Sequence, residues 1–256
     1  MNLRDLDAES LHAHLQWAKT AQPDYQQLLT RVLTDAAAKR RERRVQQRID
    51  DSGLDKAYKT LEAFDWHFQP ELDRTSIEEL ATLRFIDSAE DVVMTGKAGT
   101  GKSHLLKAIA LRACRDGRRV LYTRCVDLIA NLYAGLADNT YERRLKRWCR
   151  AELLIIDDVG LGQLRRTRDE PTAAHMLFNL IDRRHLAVST ALTSNIKLSA
   201  WGQYLGDTTL AAAILDRLAE SATFIDIDGP SYRQERARKR AAEKASRKSK
   251  AKKKSS

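Results

Sequence analysis

Cysteine, proline and glycine are all scarce in this chain of 256 residues, which holds 3, 4 and 11 of them. Cys114, Cys125 and Cys149 are odd in number and form no C-x-x-C pair, which excludes a disulfide framework and a zinc pattern and points to a reducing compartment, the cytoplasm. So little glycine and proline excludes collagen-like and low-complexity classes. Long apolar runs are missing too. Leu153 to Ile156, the longest candidate, stops at two aspartates, far short of the roughly 18 residues a membrane helix needs, so no membrane partner is expected. The first seven residues are charged and lack an apolar signal core.

What is present is the balance of a globular protein, 43% hydrophobic and 31% charged, in a chain long enough to bury a substantial core. The net charge of +10 is concentrated at one end, because residues 231–256 hold 12 Lys or Arg against 2 Glu. The other 230 residues carry 33 basic and 33 acidic groups and are neutral.

Residues 1–64 read as a helical N-terminal domain. Tyr25, Leu28, Leu29, Val32, Leu33 and Ala36 recur at helical spacing, and Leu11, Leu15 and Ala18 mark a shorter helix before them. The longer helix runs on into Lys39, Arg40, Arg41, Arg43, Arg44 and Arg48, interrupted only by Glu42 among charges of opposite sign. Such a run is either a solvated face or a surface for nucleic-acid phosphates. Asp50 to Gly53 ends the helix, and residues 65–90 read as a linker docking onto the strands and helices beyond it.

Beyond residue 90 strand and helix alternate. Strands are expected at Asp91–Thr95, Arg119–Thr123, Glu152–Ile156, Ala187–Leu192 and Ala222–Asp226, with helices after the first near 126–149, 172–184 and 208–220. That alternation predicts an α/β fold, a parallel sheet covered by helices on both faces.

Gly96, Lys97, Ala98, Gly99, Thr100, Gly101, Lys102 and Ser103 fit G-x-x-x-x-G-K-[ST], followed by His104, between a predicted strand and a predicted helix. The chemistry needs this pattern: glycines let backbone N–H groups curl toward phosphate oxygens, and the helix adds its positive end. Lys102 would reach the β and γ phosphates of ATP, and Ser103 would ligate Mg²⁺. Asp157 ends a buried apolar strand where it can hold Mg²⁺ through water. Asp158 takes the position of the base that orients the attacking water, or else caps the next segment. Asn195 arrives at the same sheet edge, either to orient water and sense the γ-phosphate or as a turn residue.

These motifs, with Trp201-Gly202, Leu205-Gly206-Asp207, the Leu210 to Leu218 series and Ser231-Tyr232-Arg233, resemble the AAA+ family over about residues 65–233, and within it the IstB-like and DnaC-like ATPases. The series around Trp201 and Leu210–Leu218 looks most like IstB, the helper ATPase of a transposon family. The resemblance implies an AAA+ core at 65–233, Arg217 as an arginine finger acting in trans on a neighbouring subunit, and Arg233 as a second sensor in cis. It also implies a helical N-terminal region that helps to bind DNA. Asp157-Asp158 stands where the common pattern has Asp-Glu. The basic tail, 234–256, has no apolar face; it is expected to be disordered and to add salt-sensitive DNA affinity, or only solubility.

The implied function is an ATP-dependent regulator that forms a homo-oligomer on duplex DNA, bends it and delivers it to a cognate transposase, with hydrolysis driving release. The alternatives are a replicative helicase loader of DnaC type and, from another class, a passive basic DNA-binding protein with a vestigial nucleotide fold.

Overall fold

A computed structural model describes residues 8–55, 57, 59–164 and 171–241. The chain divides into two compact units between Asp51 and Ser52, so residues 52–64 lie with the second unit rather than with the N-terminal helices.

In the first unit α1 (Ala8–Ala21) and α2 (Tyr25–Asp51) form a hairpin. The apolar stripe expected to be its core is largely uncovered. Tyr25, Leu29 and Leu33 on α2 and Leu11 and Leu15 on α1 are exposed, while His14 and Ala36 are buried. Two helices meeting alone bury only a narrow seam, and here that seam is polar. Asp35 accepts from the Ser10 hydroxyl and pairs with His14 Nε2 at 3.1 Å, and the Arg31 guanidinium lies 4.3 Å from the centre of the Trp17 ring.

The second unit opens with the short helices α3 (Arg74–Leu80) and α4 (Arg84–Asp87), then alternates as the sequence predicts: β1 (Asp91–Gly96), α5 (Lys102–Asp116), β2 (Val120–Arg124), α6 (Cys125–Ala137), α7 (Tyr141–Cys149), β3 (Leu153–Val159), α8 (Ala173–Arg184), β4 (Ser189–Ser194), α9 (Trp201–Leu205), α10 (Thr208–Ser221) and β5 (Ala222–Ile227). The helical segments expected over about 126–149 are α6 and α7, divided where Asn139 turns left-handed at φ 54° and Asp138 takes the Thr140 N–H at 3.1 Å. Residues 232–241 are helical as well, so the expected division between 233 and 234 falls inside a helix; the rest of the tail, 242–256, lies outside the described residues.

All strand pairs are parallel, in the order β2-β3-β4-β1-β5. Their apolar runs follow from burial on both faces: Val92 to Met94 and Leu153 to Ile156 are fully enclosed. Trp201, Leu128, Leu145, Leu177 and Ile214 belong to the core packed against the sheet. Arg184, itself buried, donates to the carbonyls of Trp148, Ala151 and Ser189 and to the Thr190 hydroxyl, tying α8 to the entrances of β3 and β4. The order matters for function, because it sets the carboxyl ends of β3, β4 and β1 side by side, where ligands bind in open α/β sheets.

Candidate nucleotide site

The loop between β1 and α5 is a backbone cradle. Gly99 (φ +90°) and Gly101 (φ +110°) both need the left-handed region, and a Cβ on Gly101 would lie 2.6 Å from the Phe64 ring. Gly101 caps α5 without a side chain, which leaves the positive end of that helix facing the cleft.

Lys102 is 3% exposed, and its ammonium donates to Gly96 O at 2.7 Å, Lys97 O at 2.8 Å and Asn195 Oδ1 at 2.9 Å. Three acceptors match its three N–H bonds. Burial pulls its pKa below the ordinary lysine value, and the charges of Asp158 and Asp157 oppose that pull.

Successive side chains on a strand point to opposite faces, yet Asp157 and Asp158 both reach the cleft. The register between β3 and β4 slips between Ile156 and Val159, and Asp158 turns to φ 61°, a conformation short polar residues tolerate. Asp157, 2% exposed, accepts from Ser103 Oγ at 2.8 Å and Thr193 Oγ1 on one oxygen and from the Tyr122 hydroxyl at 2.6 Å on the other. Asp158 accepts from Asn195 Nδ2 at 2.9 Å. Asn195 thus bridges the Lys102 ammonium and the Asp158 carboxylate.

The Ser103 hydroxyl and the Asp157 carboxylate are hard oxygen donors already in contact, beside a loop built for phosphate. Among the described residues no cluster of three or more His, Cys, Asp or Glu could hold a metal by itself, in the cleft or outside it. This donor pair fits Mg²⁺, which keeps several waters and takes phosphate oxygens rather than an all-protein cage.

The cleft over the loop holds about 610 Å³. Its lining also includes Phe64, Phe68 and Tyr232, which the sequence alone does not assign to a site. Phe68 and Tyr232 meet edge to face at 5.2 Å, and Phe64 meets the His104 ring at 5.3 Å. The signal was the aromatic run Phe64 to Phe68, read only as a docking linker. Tyr122 and Arg236 carry no local pattern and reach the site only through the fold, while Thr193 stands in the Leu192-Thr193-Ser194-Asn195 strand end, of which only Asn195 is read as a site residue.

The expected residues separate in a definite way. Gly99, Thr100, Gly101, Lys102, Ser103, His104, Asp157, Asp158, Asn195 and Arg233 all line the cleft. His104 turns its Nε2 to Thr60 O at 2.8 Å, and burial lowers its pKa. Gly96 contributes its carbonyl, while Lys97 and Ala98 are exposed outside the cleft lining, with Lys97 3.4 Å from Asp228. Arg233 and Arg236 ride on the helix 232–241, which is pinned to the loop by Tyr232 N–H donating to Gly99 O at 3.0 Å. Arg217 is outside the cleft, on α10, paired with Asp182 at 3.1 Å and Asp216 at 3.6 Å. In the other unit Arg40, Arg41, Arg43 and Arg44 are exposed on α2; Arg48 is half-buried, as is Lys39, 3.9 Å from Asp35. No helix among the described residues is long and apolar enough to cross a membrane.

Comparison with known proteins bears on family and fold. The IstB-like ATP binding protein family matches residues 1–241. The ATP-binding protein of insertion sequence IS21 from Pseudomonas aeruginosa is 37% identical over 241 residues, 93% of this chain and 89% of that protein. The crystal structure of the DnaC helicase loader superposes with a TM-score of 0.54 at 20% identity, over 68% of this chain and 99% of that one. AMPPCP-bound DnaA from Aquifex aeolicus superposes with a TM-score of 0.55 at 21% identity, over 68% of this chain and 51% of DnaA, so the match spans about half of that protein. At these identities the two structures speak for the AAA+ fold.

Proposed function

Because the chain belongs to the IstB-like ATP-binding protein family, we propose that it is a Mg²⁺-dependent ATPase that assembles on duplex DNA in the cytoplasm, bends it and presents it to the transposase of its mobile element. Hydrolysis is the release step. The observation that carries the reading is the contact chain Lys102–Asn195–Asp158 beside the Ser103–Asp157 pair, in one cleft at the carboxyl edge of the sheet.

The loop amides and the α5 terminus hold the phosphates, and Lys102 leaves the loop carbonyls for the β and γ oxygens. Bound Mg²⁺, held by Ser103 and Asp157, would supply charge neutralisation on those oxygens. Asp158 accepts a proton from water as the water oxygen bonds to the γ-phosphorus and the bond to the β–γ bridging oxygen breaks, leaving ADP and phosphate. Asn195, with its carbonyl toward Lys102 and its amide toward Asp158, registers whether the γ-phosphate has taken Lys102. Arg233 acts on the nucleotide of its own subunit.

Arg217 acts in trans. Its partner Asp182 is 45% exposed and Arg217 itself 37%, so the pair is weak and exchangeable for a phosphate on a neighbouring subunit. A guanidinium supplied by a neighbour makes hydrolysis depend on assembly. Lys39, Arg40, Arg41, Arg43, Arg44 and Arg48 on α2, together with the basic tail, supply phosphate contacts. Bending a short duplex costs on the order of 1 to 6 kcal/mol, which such contacts summed over an oligomer can offset.

The test is sedimentation with ATP or ADP on matched duplex and single-stranded DNA, with Lys102→Ala as control. Large ATP-dependent particles on duplex, lost in Lys102→Ala, are expected. Preference for single strands together with capture of a replicative helicase would move the assignment to a helicase loader. ATP-independent binding by both proteins would reduce it to a passive DNA-binding protein.

A further inference from the structure

Asp157 accepts hydroxyl hydrogen bonds on both oxygens, from Ser103 and Thr193 on one and from Tyr122 on the other. All three donors come from elements that flank β3, and Tyr122 alone sits on an edge strand of the described sheet, β2. The outer side of that edge strand is occupied by the residues that come after α2. Tyr122 N–H donates to Ser52 O at 2.7 Å, and Ser52 is 1% exposed. Gly53 passes so close, at φ +80°, that a Cβ there would lie 2.9 Å from Tyr122 O. Asp55 holds the Lys107 ammonium at 2.7 Å, and that ammonium stands 4.7 Å from the centre of the Tyr122 ring. One short segment therefore touches the backbone of Tyr122 directly and its ring through Lys107, while the hydroxyl of the same residue fixes the carboxylate of Asp157.

We infer that Tyr122 is a positioning residue for Asp157, and that residues 52–55 form a strap on β2 that, by holding Tyr122, tunes the Mg²⁺ response of the nucleotide site. The inference rests on the proposed ATPase reading for the identity of the ion and nucleotide. Its physical basis is local. A carboxylate donor pair is useful only when its plane is fixed, and a 2.6 Å hydrogen bond from a half-buried phenol supplies that constraint. A phenol carries one O–H donor, and a carboxylate can only accept, so the direction of this hydrogen bond is fixed. None of residues 52–55 lines the cleft or touches the phosphate loop among the described contacts, so loosening the Ser52 and Gly53 contacts with β2 should leave nucleotide contact intact and change how Asp157 presents itself.

The experiment compares wild type, Tyr122→Phe, Gly53→Ala and the double variant in the full chain. A fluorescent ATP analogue is titrated first in chelator and then against increasing Mg²⁺, and turnover is measured separately. Tyr122→Phe should keep the chelator affinity and raise half-saturating Mg²⁺ by about fivefold. Gly53→Ala should do the same in direction, and the double variant should be no worse than the stronger single, since both act through one contact. Wild-type Mg²⁺ dependence in Tyr122→Phe overturns the positioning role, and effects that multiply in the double variant overturn the strap. Absent turnover in wild type would sink the ATPase reading while the Mg²⁺ titration still tests Tyr122. A wild-type affinity indifferent to Mg²⁺ would overturn both.

Discussion

Lys102 and Asp35 stand at the centres of two polar clusters built in opposite ways. Lys102 is 3% exposed and spends all three of its donors on groups from the loop and from the end of β4. Asp157 beside it collects hydroxyls from α5, β2 and β4. Asp35 has a side chain 31% exposed, accepts from Ser10 and His14, and has Lys39 at 3.9 Å. In the cleft a rigid sheet holds the polar groups, so a substitution there changes chemistry before it changes stability. In the hairpin the polar groups themselves join the two helices, while Leu29 and Leu33 are left at the surface. A substitution there changes the local structure, or what the surface binds, and leaves the chemistry alone.

The largest expected effect breaks the cleft. Lys102→Ala strips the donor from Gly96 O, Lys97 O and Asn195 Oδ1, and should lower nucleotide affinity by about 100-fold or more while the thermal midpoint moves little. Calorimetric binding and thermal melts check both halves; a large fall in the midpoint with affinity retained would reverse the contrast. Next comes Arg217→Ala, expected to leave nucleotide affinity unchanged and to reduce turnover by about 1,000-fold at protein concentrations that saturate assembly. Normal turnover there would remove the finger assignment. Loss of the exposed Asp182 pair should cost little stability.

The same contrast explains what could be read from the sequence. The loop, Asp157, Asp158 and Asn195 were legible because a glycine-rich pattern and two strand ends mark the carboxyl edge of a parallel sheet whatever the side chains around them. β1 and β3 were legible because burial on both faces favours unbroken apolar runs, Val92 to Met94 and Leu153 to Ile156. Tyr122 and Thr193 were not, because a polar residue on a strand says nothing of which strand will lie beside it. Phe64 and Phe68 lie more than 160 residues from Tyr232 in the chain, and only the folded unit brings them into the lining of one cleft. The hairpin misled for a different reason. Helical spacing in Tyr25 to Ala36 predicts a face, but not that anything in the chain will cover it.

A smaller effect sharpens the hairpin side. Replacing the exposed Arg40, Arg41 and Arg44 together by Ala should lower the slope of log affinity for duplex against log salt by about 2 to 3, with nucleotide affinity and Mg²⁺ response untouched. An unchanged slope, read by fluorescence anisotropy over a salt series, would make this run a solvated face and shift the phosphate contacts elsewhere.

The smallest effect is a pH dependence confined to the hairpin. Hydrogen bonds from Ser10 and then His14 hold the Asp35 carboxyl below its ordinary value, so its folded pKa lies under the unfolded one, about 3.9. A depressed carboxylate contributes stability that is complete above the unfolded value and lost as pH falls through the folded one. The α1–α2 pairing should therefore loosen below about pH 4, before the buried sheet responds, and Asp35→Asn should loosen it at neutral pH and flatten that acid dependence. Because Trp17 on α1 lies against Arg31 of α2, its indole resonance followed by NMR from pH 6 downward reads the pairing directly. A Trp17 signal that shifts only together with signals from the sheet would mean that the hairpin has no separate weak point, and that the two regions share one stability after all.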